Sequence, residues 1–382
     1  MSHITGTNEA IKNQQESSRR YFQRPDNSYT RYDTTRRSLT GHGGIIEFGK
    51  QTHSKWRYLA WITWRSPGYE LNDVGYLRQA DAVFQVIWAG YRWDEPFSIF
   101  RQAQVNFNQW SGWDFGGNNT FTGGNMQWWS EFKNHWSFGG GISMEGNGLS
   151  NDMLRGGPSI RVPGSWNYWL NFGTDRRKKL SVHGWHSNLW GFDQAYRGIS
   201  YGMDITYRPA DALKFTFMPD FSVNQRELQY LDVEQHQGAD QYIFARLKQK
   251  TTDLTLRIDY TLSPDLTIQY YGSPFISGVD YSHPKRITDP QAEQFRDRYS
   301  YDLSFIDEDY EEGYDFNFRQ FRSNLVLRWE YRPGSLMYLV WTQGRTGSAE
   351  TGTFSYGRDF RRLYDVYPEN VFLVKLSYRF IH

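Results

Sequence analysis

Asn370-Val371-Phe372-Leu373-Val374-Lys375-Leu376-Ser377-Tyr378-Arg379-Phe380-Ile381-His382 is the stretch whose alternation decides how the rest is read. Phe372, Val374, Leu376, Tyr378 and Phe380 fall on one side of a period-2 strand, and Val371, Leu373, Lys375, Ser377 and Arg379 on the other. The first side is apolar; the second carries most of the polar groups. A soluble domain gains nothing from ending on such a strand, because an unpaired apolar edge invites aggregation. A closed outer-membrane barrel does gain, since its last strand pairs with its first and turns the apolar side to lipid. The competing reading is an edge strand of a soluble β-domain.

Composition points the same way. Lys and Arg number 43 against 42 Asp and Glu, so no global field favours nucleic acid or anionic substrates. Aromatic residues make up 18% of the chain, with 16 Trp and 27 Tyr, more than a soluble core uses and what interfacial girdles require. Mean hydropathy is −0.75, and no run approaches the ~18 apolar residues of a membrane helix. Strands that alternate between lipid and lumen average out as hydrophilic in this way. Cysteine is absent, which removes disulfide frameworks and thiolate metal sites. Residues up to Arg20 are polar, without the apolar core of a signal peptide.

The expected domain organisation is an extracellular polar loop over 1–40 and a transmembrane β-barrel over 41–382. Short connections fall near 52–54, 94–96, 132–134, 173–177, 208–211, 263–265 and 332–335, several of them Pro, Gly or Asp turns. Longer ones fall near 67–80, 112–119, 146–156, 191–198, 224–240, 277–319 and 347–369. Short turns on one side and long loops on the other is the asymmetry of outer-membrane barrels, here with about fifteen antiparallel strands. The segment 241–261 reads as one long strand or two.

Several strands separate into two faces. Leu254, Leu256, Ile258, Tyr260 and Leu262 alternate with Thr255, Arg257, Asp259 and Thr261; Phe321, Leu325, Leu327, Trp329 and Tyr331 oppose Asn324, Val326, Arg328 and Glu330. Trp56 and Trp64 bracket a third apolar face, with Arg57 and Arg65 opposite. If the apolar faces meet lipid, Arg57, Arg65, Arg257, Asp259, Arg328, Glu330, Lys375 and Arg379 line the lumen. No helical periodicity of useful length accompanies these strands. A propeller would need a ~40–45-residue repeat that is not present, and a sandwich lacks the short/long alternation.

Catalytic and metal motifs are scarce. No Gly-x-Ser-x-Gly elbow or P-loop occurs. His183 and His186 fall on opposite faces of a strand, which is wrong for one metal. The acidic run Asp307-Glu308-Asp309-Tyr310-Glu311-Glu312-Gly313 does not match the EF-hand loop and reads as solvated. Gly139-Gly140-Gly141 sits inside a strand and signals close packing rather than phosphate binding.

The Leu376-x-Tyr378-x-Phe380 pattern resembles the C-terminal assembly signal of outer-membrane barrels, although Ile381 and His382 follow its usual last aromatic. Three further stretches carry a wider resemblance: Tyr21-Phe22-Gln23-Arg24-Pro25-Asp26, Ser66-Pro67-Gly68-Tyr69-Glu70-Leu71-Asn72-Asp73-Val74-Gly75-Tyr76-Leu77-Arg78, and Leu327-Arg328-Trp329-Glu330-Tyr331-Arg332-Pro333-Gly334-Ser335. Together they resemble the C-terminal barrel region of the domain-of-unknown-function 5916 family, large Gram-negative envelope proteins often fused to an N-terminal module similar to family 9 carbohydrate-binding domains. The resemblance implies an outer-membrane barrel and no particular activity.

The expectation is a non-enzymatic bacterial outer-membrane barrel acting as pore, transporter or surface scaffold. The alternatives are an envelope enzyme with a loop-borne active site and a soluble Trp-rich glycan-binding β-protein. Expected partners are outer-membrane lipid, the barrel-assembly machinery during biogenesis, and a glycan or other small solute; nucleic acid and cofactors are not expected. Strand parity adds one more expectation: with an odd count the barrel is incomplete, and a signal peptide and further strands precede Met1.

Overall fold

The computed structural model describes residues 1–52, 54–72, 75–306 and 313–380. Residues before Gly43 hold β1 (Ser2–Thr5), α1 (Asn8–Gln15) and β2 (Ser38–Gly41), with β1 and β2 paired antiparallel. This corrects the loop expected over 1–40. The Thr7 hydroxyl accepts the Ala10 N–H at the start of α1, and the helix buries Ile11 and Gln15. Two buried residues on eight leave too little pattern for a helical period to be read.

From Gly43 the chain is a succession of hairpins. Its strands are β3 (Gly43–Lys50), β4 (Trp56–Arg65), β5 (Ala82–Trp93), β6 (Phe100–Trp113), β7 (Asn119–Phe132), β8 (Ser137–Glu145), β9 (Gly148–Ser150), β10 (Ile160–Val162), β11 (Ser165–Gly173) and β12 (Leu180–Gly191). There follow β13 (Tyr196–Ala210), β14 (Leu213–His236), β15 (Ala239–Ser263), β16 (Leu266–Ile287), β17 (Tyr299–Ser300), β18 (Phe316–Arg332), β19 (Ser335–Ala349), α2 (Tyr356–Asp365) and β20 (Glu369–Ser377). A single antiparallel sheet runs β3 to β8, then β11 to β16, then β18 to β20, fifteen strands in chain order, with β17 added beside β16. β9 and β10 form a separate pair in one loop. Among the described residues the sheet does not close on itself: β3 and β20 are its two edges.

The seven expected short turns all join sheet neighbours, from β3–β4 to β18–β19. The long-loop side departs most where loops were expected over 224–240 and at the start of 277–319. The stretch expected as a loop over 224–240 is strand through His236, and β14 turns into β15 at Gln237 (φ 52) and Gly238 (φ 78), a two-residue reversal of the type that suits twisted hairpins. Likewise 241–261 is one strand within β15, and β16 continues to Ile287. These three strands project beyond their neighbours on the long-loop side.

Register sorts the residues into two surfaces. Phe107, Met126, Ile142 and Tyr168 are cross-strand partners through β6, β7, β8 and β11; one residue along, Asn108, Asn125, Ser143 and Asn167 are partners on the other side. At the far end Tyr270, Leu325, Trp341 and Phe372 line up through β16, β18, β19 and β20, opposite Tyr271, Asn324, Thr342 and Val371. Many apolar-side residues are open: Ile142 is 52% exposed, Met126 42% and Phe372 74%. Gly141, on the opposite side, lies under the Trp169 ring, which stands 2.3 Å from where a Cβ would be. The glycine run of β8 is therefore a site of close packing, as its place inside a strand implies.

The buried core lies in the long-loop region. Leu154, Ile160, Ala195, Leu228, Phe244, Ile287 and Phe295 pack the loops after β8, β12 and β16 against the projecting strands. α2 covers the apolar side of β18 there: Leu363 is fully buried, and the Phe321 and Tyr364 rings lie 5.6 Å apart. Its Asp359 is also buried, accepting hydrogen bonds from Asn317 Nδ2 at 3.0 Å, the Ser355 N–H at 2.8 Å and Arg358 Nε at 2.8 Å.

Candidate functional site at the long-loop end

Two of the stretches singled out in the sequence meet at this end. Arg20 is buried and donates to Glu70 Oε2 at 2.8 Å and to the Tyr69 carbonyl at 2.9 Å, while Arg19 lies 3.7 Å from the same carboxylate. Glu70 also accepts the N–H groups of Leu71 and Asn72 and the Asn72 side-chain amide. Burial alone would push its carboxyl upward; the Asn72 N–H, the Arg20 guanidinium and the Leu71 N–H outweigh that and hold it at about 2. Burial draws the Arg20 guanidinium below its ordinary value, against the pull of Glu70. Gly68 and Gly41 permit the backbone crossing that brings these segments together: a Cβ on Gly68 would lie 2.2 Å from the Thr40 carbonyl oxygen, and one on Gly41 2.1 Å from the Tyr69 nitrogen.

A second set of contacts extends the network to the other loops. Arg24 Nη1 donates to Ser159 Oγ at 2.9 Å and Arg24 Nη2 to the Tyr29 hydroxyl at 3.0 Å; that hydroxyl donates to Asp81 Oδ2 at 2.6 Å. Ser159 passes the chain to Asn151, and Asn151 to Asp114 at 3.1 Å. Asp81 is buried, and burial raises its carboxyl; the Tyr29 hydroxyl and the Phe115 N–H pull the other way. Burial likewise raises the Tyr29 phenol, helped by Asp81. Residues before Gly43 are thus tied by buried charge-assisted bonds to the loops after β4 and β8, and through Asp81 and Asn151 to the loop after β6.

Between this N-terminal segment and the upper ends of β4 and β5 lies a cavity of about 410 Å³, lined by Arg19, Arg20, Tyr21, Arg65, Arg78, Asp81, Phe84 and Asp152 among others. Arg65 and Phe84 belong to the side opposite the apolar face, and the Arg65 guanidinium stands 5.1 Å from the Phe84 ring centre. Tyr21 (φ 40) and Asp81 (φ 52) hold left-handed backbone there, costly for a bulky aromatic such as Tyr21.

The eight residues read as lumen-lining divide by position. Arg57, Arg65, Arg257, Asp259, Arg328, Glu330 and Lys375 lie on the side opposite the apolar face in register. They do not form one cluster. Arg57 lies 3.9 Å from Asp94 near a short turn, Asp259 pairs with Lys214 at 2.8 Å, and Arg328 with Glu330 at 3.3 Å. Arg257 sits over the Tyr271 ring at 5.4 Å. Arg379 lies past β20, which ends at Ser377, and its backbone N–H donates to the Ser335 hydroxyl at 3.0 Å. Of the assembly-signal residues, Leu376 shares the apolar side with Phe372 and Val374, whereas Tyr378 and Phe380 lie past the strand with rings 4.8 Å apart. The Tyr378 hydroxyl accepts from Arg332 at 2.7 Å, joining the third sequence stretch to this terminus at the short-turn end. Ile381, His382, Asp73, Val74 and the acidic positions 307–312 lie outside the described residues.

His183 and His186 fall on opposite sides of β12, His183 3.7 Å from Asp204 and His186 3.2 Å from the Tyr168 hydroxyl. Sequence reading missed Arg20, Arg24, Tyr29, Glu70 and Asp81 as a unit; the only signal was that most of them sit in or beside the first two resemblance stretches.

No curated protein matches the chain. The family described as Domain of unknown function (DUF5916) matches residues 2–382, and the chain belongs to that family.

Proposed function

We propose that this sheet is the wall of a bacterial outer-membrane β-barrel that forms a conduit for a hydrophilic solute, its long-loop mouth roofed by the N-terminal segment. The observation that carries the reading is the two-sided chemistry held in register over most of the fifteen strands; β5, with Phe84, Val86 and Trp88 opposite Ile87, is apolar on both sides. Ile142, Phe217 and Leu339 are left 52%, 39% and 38% exposed, and contact with water forgoes that share of the roughly 1.5–3 kcal/mol each would gain on full burial. Contiguous apolar patches beyond a few hundred Å² are rare on soluble monomers. Lipid removes that penalty, and the polar ladders then face a water-filled interior.

The height of the apolar face supports the same reading. On β18, α2 begins to cover that face at Phe321, eleven residues from the turn after Arg332. At ~3.3 Å per residue and a tilt near 40°, the open part is roughly 28 Å tall, close to the ~25 Å band of outer-membrane barrels. Because fifteen antiparallel strands place β3 and β20 in the same direction, a fully antiparallel closure takes an odd number of further strands between those edges. Their unpaired groups would otherwise cost several kcal/mol each in hydrocarbon.

The chain has no native cysteine, so single introduced thiols report cleanly. After reconstitution into vesicles, Ile142→Cys and Leu256→Cys should resist a hydrophilic maleimide and be quenched, once labelled, by lipid-borne nitroxides. Ser143→Cys and Thr255→Cys should react with the maleimide. Equal reactivity of the two pairs would overturn the reading.

A further inference from the structure

We propose that the cavity beneath the N-terminal segment is a binding site for a small organic oxyanion, a carboxylate or phosphate ester carried on a flat body. The cavity of about 410 Å³ lies within the ~300–1,000 Å³ of small-molecule sites. Four arginines reach its wall, and their engagement differs. Arg19 and Arg20 are held on Glu70, which fixes the edge of the site. Asp81 is occupied by Tyr29, Arg24 and the Phe115 N–H. Asp152 accepts from the Ser150 hydroxyl at 2.6 Å.

Arg65 and Arg78 have no ion-pair partner among the described residues. Arg65 Nε is closed off from solvent and has no hydrogen-bond acceptor, as are the Nε atoms of Arg19 and Arg20. Those Nε groups are shut off from the cavity as well; what an oxyanion would meet is the Nη side of the Arg65 guanidinium, which lines the cavity and has no hydrogen-bond partner among the described residues. Guanidinium forks match carboxylate and phosphate oxygens, and the Arg65 guanidinium already stands over the Phe84 ring. Tyr21 supplies a second aromatic surface from the strained position it keeps at φ 40. The site does not require the sheet to lie in lipid, so its failure and the failure of the membrane reading are separable.

The test is calorimetric titration of the full chain, refolded in detergent, with benzoate, phenyl phosphate and the neutral benzyl alcohol. At least one anion should bind and benzyl alcohol should not; which anion binds distinguishes carboxylate from phosphate recognition. Arg65→Gln should weaken binding about tenfold or more, as loss of a charge-assisted bond does. Tyr21→Gly keeps a residue suited to its backbone angle and should weaken binding through loss of the ring alone. Arg176→Gln, at an exposed short turn, should change nothing. No anion binding to the unaltered protein, binding unaffected by Arg65→Gln, or equal losses in Arg65→Gln and Arg176→Gln would each overturn the proposal.

Discussion

Replacing Leu256 by arginine puts the membrane reading at greatest risk. Leu256 lies on the apolar side of β15 with Phe217 and Gly272 as its cross-strand partners, and Tyr260 is four residues nearer the short turn on the same side. Four residues at ~3.4 Å and a tilt near 40° raise Leu256 roughly 10 Å above that aromatic, close to the middle of a ~25 Å band. Arginine at such a depth costs about 2–4 kcal/mol, a change of roughly 30- to 700-fold in the folded-to-unfolded ratio. Thr255→Arg, one residue away, turns to the other side. There the Thr255 hydroxyl lies 3.0 Å from Asp253 Oδ1 and 3.1 Å from Ser273 Oγ, so a guanidinium would find a carboxylate within reach. Its expected effect is within about 1 kcal/mol. Leu327→Arg and Val326→Arg repeat the contrast on β18. Urea titration of the refolded protein in phosphatidylcholine vesicles, followed by tryptophan fluorescence, measures all four. Comparable destabilisation within each pair would refute the assignment of faces.

Removal of Tyr378–His382 should abolish outer-membrane insertion, because it deletes the aromatic end of the assembly pattern and the Tyr378 hydroxyl that accepts from Arg332; heat-modifiable, membrane-embedded protein at normal levels would count against it. Acid should loosen the N-terminal segment. Glu70 is held at about 2 against an ordinary 4.5, so its contribution is full above the ordinary value and is lost as pH falls toward the depressed one. Hydrogen exchange over residues 19–24, corrected for intrinsic rates, should therefore quicken between about pH 5 and about pH 2.5. Asp81, raised by burial, gains from protonation over acid pH and acts in the opposite sense. Glu70→Gln isolates the effect and should flatten the dependence; identical pH profiles for both proteins would refute it.

The sheet was legible wherever one side of a strand is open and apolar. Leu254 to Leu262 alternate without a break, and several of the short turns are marked by Pro, Gly or Asp residues that reverse the chain cheaply. That signal fades where β14, β15 and β16 rise past the apolar band. Their upper parts carry Glu227, Asp232 and Arg246, and the register shifts between Arg226 and Gln229 and between Phe244 and Arg246. Each bulge moves the side chains by one position, so a period-2 search loses phase and reports a loop. There Lys285 is fully buried yet satisfied by Glu227 Oε1 at 2.5 Å, with Arg246 on the same carboxylate at 2.7 Å, an arrangement that local pattern cannot announce.

The cap was illegible for a different reason: its contacts are long in sequence. Arg20 meets Glu70 across 50 positions, and Arg24 meets Ser159 across 135. No alternation or spacing links such residues before the chain is folded. Yet the three stretches that carried the family resemblance fall at the two ends of the wall rather than along it. The first two converge on the Arg20–Glu70 junction at the long-loop end, and the third turns at Pro333–Gly334 beside Tyr378 at the other. Along the wall many apolar residues satisfy the outward side of a strand, so particular identities matter little. At the ends the backbone leaves the ladder, and its donors and the buried charges must be met by specific side chains. The three stretches that carried the resemblance are, in this chain, the ones that satisfy those ends.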